Sequence, residues 1–278
     1  MSKNAILNII ELIRNSGSAV KETDLYALLP EQLTKDDFEK ELSELEAAGK
    51  LQRLDDLVLK ERKKIHDENK AISRKLFKDN YSYLRIFSFL PWVRFISLTG
   101  SNAFESCAKD DDIDLFVITA ADRLWLVYVL IVVLSKLLGK RPFFCFNYLI
   151  DEKNLSIDRQ SYHNAVQIYM MKPLFNNNYK EELYKHNQWI KDYLPNIAES
   201  NTLDDFYRLR SDFNSRKIRS ALITKFNDWI FGKYQARLTQ KYPAAINKGI
   251  LLGKGYAKLH QNDKSHMYDK MMTYEVQK

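Results

Sequence analysis

The chain has 278 residues, 45% of them apolar and 13% aromatic, with a formal charge of +7 at pH 7. That length holds one large domain or two modest ones, and the apolar share excludes a disordered or low-complexity protein. Two cysteines, Cys107 and Cys145, exclude a disulfide framework and show no metal-site spacing, so a reducing, cytoplasmic setting is expected.

Met1-Ser2-Lys3-Asn4 leads into no long apolar segment of the signal-peptide kind. Residues 1–60 form a first predicted domain, read as a small winged-helix unit. Ile6, Leu7, Ile9, Ile10 and Ile13 follow a helical period that Gly17 breaks. A second short helix runs from Glu22 toward Leu29 and stops at Pro30. Thr34 caps a third, with Phe38, Leu42 and Leu45 as its core stripe and Gly49 as its end. Leu51 to Lys60 reads as a hairpin turning at Asp55-Asp56. Eight Lys/Arg face twelve Asp/Glu in this stretch, and the third helix carries Asp36, Asp37, Glu39, Glu41, Glu44 and Glu46. Such a surface repels phosphates, so duplex DNA recognition by this unit is not expected. Contact with a protein surface or with the basic half of the chain is one alternative, and a solvated acidic face is the other.

Residues 61–175 form the second predicted domain, entered by a charged helix from Glu61 to Phe77. An apolar run, Arg94 to Leu98, leads into Thr99-Gly100-Ser101. After a spacer of ten residues, Asp112-Ile113-Asp114 opens a second run, Leu115 to Ile118. Both runs read as buried strands. Residues two apart on a strand face the same way, so Asp112 and Asp114 project together. Neighbouring carboxylates repel unless a cation lies between them, and hard divalent ions share their remaining ligand positions with substrate phosphates. Gly100 lets a backbone approach a phosphate, and Ser101 adds a hydroxyl. Cys107, in the spacer, reads as a small space-filling residue.

A helix beginning at Asp122 has the apolar body Leu124 to Leu138. Its unbroken run stops at Ser135-Lys136, short of the roughly 20 residues that a membrane span needs. Gly139 to Pro142 end this helix before a third strand, Phe143 to Ile150. There Asn147 alternates with Cys145 as the inward polar residue, and Asn cannot take a proton. Asp151 lies on the same alternation, just past the strand. Either Asp151 is a third acid or the site has two carboxylates. Ser161 to Tyr169 reads as a helix stopping at Lys172-Pro173, with His163 and Gln167 on one face. His163 there is either a substrate contact or a hydrogen-bonded structural residue.

Residues 176–278 form the third predicted domain, with helices over 179–194 and 203–241. Residues 203–258 hold twelve Lys/Arg against four Asp/Glu, an electrostatic platform for polyphosphate or nucleic acid. A polar tail, Ser265 to Lys278, includes Tyr268 and Tyr274.

Gly100, Ser101, Asp112 and Asp114, in this order and in these elements, resemble the signature of the nucleotidyltransferase superfamily related to DNA polymerase β. The resemblance covers residues 90–175 well and the remainder loosely. It implies an α/β (α+β) fold: an N-terminal winged helix, a central mixed-sheet nucleotidyltransferase core and a helical C-terminal half. It also implies metal-dependent transfer of a nucleoside monophosphate from a triphosphate to a hydroxyl. No separate template-gripping domain is apparent in the sequence, so template-independent synthesis is expected. In that scheme Asp112 and Asp114 hold two Mg²⁺ ions, with Mn²⁺ as a substitute. Gly100 and Ser101 hold the β- and γ-phosphates, and Asn147 or Asp151 completes the catalytic set. Arg216, Lys217, Arg219 and Lys225 lie in the region where relatives clamp the triphosphate. Active members usually carry a third carboxylate, which Asn147 does not supply.

The size, the winged helix and the tail are similar to those of anti-phage defence nucleotidyltransferases of the Hailong type. That narrower likeness implies dATP or ATP as substrate and a short oligodeoxyadenylate product. Synthesis would be primed on an enzyme hydroxyl, Tyr274 ahead of Tyr268. A membrane effector protein and a homo-oligomer are the partners it implies. Two alternatives stand beside it: a toxin–antitoxin-type enzyme that modifies a protein or tRNA, and a non-catalytic nucleotide-binding regulator.

Overall fold

The computed structural model describes residues 2–59, 63–140, 143–176, 178–197, 205–209 and 220–259. The chain opens with α1 (Ser2–Asn15), β1 (Val20–Lys21), α2 (Glu22–Ala27), α3 (Lys35–Ala47), β2 (Gln52–Leu54) and β3 (Leu57–Leu59). The strands make an antiparallel sheet in the order β1-β3-β2. Helical spacing puts Ile6, Ile9, Ile10 and Ile13 on one buried face of α1. Thr34 caps α3, its hydroxyl accepting from the Asp37 amide at 3.1 Å. Part of the acidic surface of α3 is neutralised from within the unit. The Arg53 guanidinium donates to Glu46 at 2.8 Å and also pairs with Glu39, while Lys3 pairs with Glu44.

A long helix, α4 (Lys63–Ser88), leads to β4 (Val93–Leu98), the one-turn α5 (Gly100–Ala103) and β5 (Ile113–Thr119). Next come α6 (Leu124–Leu137), β6 (Phe144–Asp151), α7 (Tyr162–Met170) and β7 (Lys172–Phe175). The described chain closes with α8 (Asn178–His186), α9 (Ile190–Tyr193), a 3-10 turn at Asp205–Tyr207, α10 (Ala221–Lys241), β8 (Ile250–Leu252) and β9 (Tyr256–Leu259). The second sheet is mixed, in the order β7-β4-β5-β6-β9-β8. Its parallel pair is β5 with β6, and α6 supplies the crossover that such a pair requires.

Alternation along β5 sends its side chains into two cores. Ile113, Leu115 and Val117 pack with α4, α6 and α10. Phe116 and Ile118 pack on the other face, where α7, α8 and α9 join the core of the N-terminal unit. Hydrogen bonds tie that unit down: Tyr162 donates to the Leu28 carbonyl at 2.8 Å, Tyr169 to Asp24 at 3.1 Å and Asn196 to the Glu31 carbonyl at 2.7 Å. Among the described residues the protein is thus a mixed α/β structure with two sheets. Among the described residues no helix is long and apolar enough to cross a membrane.

Several elements differ from the sequence expectation. The helix expected to end at Phe77 continues to Ser88, because Leu84 and Phe87 extend its buried stripe. Asp122 does not start α6: it takes a φ of 59°, and Arg123 follows it as the N-cap. The first turn of α6 is capped from α10, where the Asn227 side-chain oxygen accepts from the Trp125 and Leu126 amides at 3.0 and 3.1 Å. A strand, β7, forms where only a helix stop was expected. Pro173 is tolerated there because β7 is an edge strand paired on one side with β4. The C-terminal half is not purely helical, since β8 and β9 complete the central sheet.

Candidate active site

The turn between β4 and α5 brings Gly100 against the carboxylate of Asp114. Gly100 has a φ of +57°, and a Cβ built on it would lie 2.5 Å from Asp114 Oδ2. Only glycine satisfies both constraints. The loop is held from both sides. The Gly100 amide donates to the Gln167 side chain on α7 at 3.1 Å, and the Thr99 amide donates to the Asp114 carbonyl at 3.0 Å. The Asn102 amide group donates to the Asp112 carbonyl at 2.9 Å, fixing the spacer's return. Cys107 is fully buried and its thiol donates to the Ser101 hydroxyl at 3.7 Å, so it packs beneath the loop as a space-filling residue.

Asp114 lies near the start of β5, on the face of Phe116 and Ile118, opposite Cys145 of β6. Side-chain ligand atoms of Asp112, Asp114 and Cys145 lie within 4.8 Å of one another. The pairing of β5 and β6 shifts between Leu115 and Phe116, which leaves Asn147 as the extra residue of a bulge. From there Asn147 donates through Nδ2 to Asp114 Oδ1 and accepts from the Cys145 thiol at 2.8 Å. Asn147 therefore orients the carboxylate. Cys145 is the residue that sequence reasoning missed in this group. Its alternation with Asn147 was visible, but its register against Asp114 depends on the parallel pairing.

The alternative third acid, Asp151, is ruled out by position. It is the last residue of β6, in register with Thr119, five residues along the strand from Asp114. At about 3.3 Å per residue this separates them by roughly 16 Å. Asp151 is 1% exposed and accepts from the Asp122 amide at 3.0 Å and from Asn154 at 2.7 Å, so it braces the opposite end of the sheet. Lys225 is also away from the carboxylates, exposed on α10, which packs on α6 across the sheet from Asp114. Lys217, Arg216, Arg219, Tyr268 and Tyr274 lie outside the described residues.

A cavity of about 330 Å³ opens between α1 and α7, and Gly100, which abuts Asp114, belongs to its lining. Ser101, Asp111, His163 and Gln167 line it as well. The expected shared face of His163 and Gln167 is thus realised.

Burial, and then the neighbouring Asp112, push Asp114 up to about 7, while the bond from Asn147 acts the other way. Between the ordinary value of 3.8 and about 7, the folded chain holds more protons at this carboxyl than the unfolded chain. Stability from this group is therefore lost as pH rises through that window and is level above it. A divalent ion between the carboxylates would relieve the repulsion. The donor set fits such an ion: two hard oxygens suit Mg²⁺, and the added thiol favours Mn²⁺ over it. Millimolar Mn²⁺ is accordingly expected to raise the melting temperature by several degrees at pH 8 and by much less at pH 5. Asp114→Asn should remove the difference. Scanning calorimetry at both pH values checks this, and equal shifts at both would contradict it.

No family model, no curated protein and no solved structure matches this chain.

Proposed function

We propose that the protein is a metal-dependent nucleotidyltransferase of the DNA polymerase β-like kind, moving a nucleoside monophosphate from a triphosphate to a hydroxyl. The observation that carries this reading is the contact of Gly100, which lines a cavity, with Asp114, which lies beside Asp112 and Cys145. Asp112 and Asp114 would hold the divalent ion, Mg²⁺ or Mn²⁺, with Cys145 within reach. When bound, that ion supplies charge neutralisation at the phosphate and lowers the pKa of an attacking hydroxyl. Gly100 and Ser101 hold the outer phosphates, Gln167 fixes the loop that carries them, and Asn147 aims Asp114. The element order of residues 2–59 supports a winged-helix reading of the N-terminal unit. Its acidic α3 favours a role other than duplex recognition.

The finer reading is template-independent synthesis of a short oligodeoxyadenylate in anti-phage defence, with a membrane effector as the downstream partner. Incubation with each α-labelled nucleoside triphosphate and Mg²⁺ or Mn²⁺ tests it. A ladder of labelled oligomers from dATP is expected. Label on a protein or tRNA would instead support the toxin-type modifying enzyme. A second reading, a nucleotide-binding regulator without catalysis, is favoured by Asn147 standing where a third carboxylate is usual. Binding without any labelled product would select it.

The priming hydroxyl is assigned to Tyr274, with Tyr268 next. Intact-mass spectrometry after incubation with dATP and Mg²⁺ should show added nucleotide mass that Tyr274→Phe removes. Mass that persists in both Tyr274→Phe and Tyr268→Phe, or no added mass, would refute the assignment.

A further inference from the structure

The N-terminal unit is built into the cavity beside Gly100. Ile9, Leu12 and Ile13 of α1 and Leu28 form one wall, facing Tyr162 and Val166 of α7. The two walls are joined: the Tyr162 hydroxyl donates to the Leu28 carbonyl at 2.8 Å. The unit also bonds to the loop after α5, where the Ser18 hydroxyl donates to the Phe104 carbonyl at 2.9 Å. We propose that this cavity receives the nucleoside of the triphosphate, making the N-terminal unit a substrate-binding element; this rests on the nucleotidyltransferase reading above.

The chemistry of the lining supports a nucleoside. A base is a flat, largely apolar slab with a polar edge, and such ligands take pockets with mainly apolar walls and a few polar groups. Here most of the walls are aliphatic and aromatic, and the polar groups are Ser16, Ser101, Ser106, Asp111, His163 and Gln167. About 330 Å³ lies at the small end of ligand pockets, enough for one nucleoside and too little for an oligomer. The position agrees as well. Gly100 and Ser101 themselves line the cavity, so phosphates held there leave the nucleoside next to its apolar walls. The acidic α3 then has no nucleic acid to meet, because the unit's contact with substrate runs through α1.

Calorimetric titration of the full chain with Mn²⁺ and either dATP or inorganic tripolyphosphate tests the proposal. Tripolyphosphate reads the metal–phosphate site alone, and dATP adds the nucleoside. Two variants place bulk in the cavity: Leu12→Trp on its wall and Ser16→Trp at an exposed lining position, where folding is not at stake. Wild type is expected to bind dATP at least tenfold tighter than tripolyphosphate. Each variant should lose that tenfold while binding tripolyphosphate within twofold of wild type. Equal affinity of wild type for the two ligands, or variants that keep full dATP affinity, would overturn the proposal. So would a parallel loss of both ligands in Ser16→Trp, which would put the phosphates in the cavity. Failure of tripolyphosphate to bind wild type would overturn the metal–phosphate site itself, and the proposal with it.

Discussion

Replacing both carboxylates, Asp112→Ala with Asp114→Ala, is expected to lower nucleotide transfer at least a thousandfold without loss of fold. A thousandfold corresponds to about 4 kcal/mol of transition-state stabilisation, in the range expected for removing a metal's ligands. Stability should move the other way. Asp114 is held ionised at pH 8 against burial and against Asp112, which is why it is pushed up to about 7. Removing both charges relieves that repulsion, so the melting temperature at pH 8 without metal should be unchanged or higher. Pyrophosphate release and a thermal melt on the same preparation check both halves. Wild-type turnover in the double variant would show that Asp112 and Asp114 are not the metal ligands.

Gly100→Ala is expected to be nearly as damaging to transfer, and unlike the double variant it should also cost stability. A residue with a Cβ at φ +57° is strained by about 1–2 kcal/mol, and here the Cβ would press on Asp114 Oδ2 at 2.5 Å. The carboxylate must turn away from residue 100, which disturbs its placement beside Asp112, and transfer should fall about a hundredfold, or about 2.7 kcal/mol. Gly139→Ala is the control. Its φ is +65°, yet nothing lies within 4 Å of the added Cβ, so it carries the backbone strain without the contact. It should cost a similar backbone strain and leave transfer unchanged. Equal effects of the two variants on transfer would mean that the contact with Asp114 is unimportant.

The parts of the site governed by local rules were legible in the sequence. Gly100-Ser101 between two apolar runs, and Asp112 and Asp114 two apart at the start of a strand, needed only strand periodicity. The same holds for α1, the Thr34 cap and the turn at Asp55. What the sequence did not reveal depends on pairing between distant segments. Cys145 joins Asp112 and Asp114 because β5 and β6 run parallel in one particular register. Asn147 reaches Asp114 because a bulge adds one residue to β6. Asp151 falls at the wrong end for the same reason: alternation gives a residue's face but not its distance along the sheet. The strands β8 and β9 were hidden among helices because each is short and is held by its neighbour in the sheet, β9 by β6 and β8 by β9. The wall that α1 gives the cavity was likewise invisible, since an amphipathic period shows a buried face without showing what faces it.

Anomalous scattering from manganese, in crystals grown with Mn²⁺ and an α,β-imido analogue of dATP, tests the central claim most directly. The expected result is a manganese peak coordinated by Asp112 and Asp114, with the analogue's phosphates against Gly100 and Ser101. A peak elsewhere on the protein, or bound analogue with no metal at these two carboxylates, would contradict it.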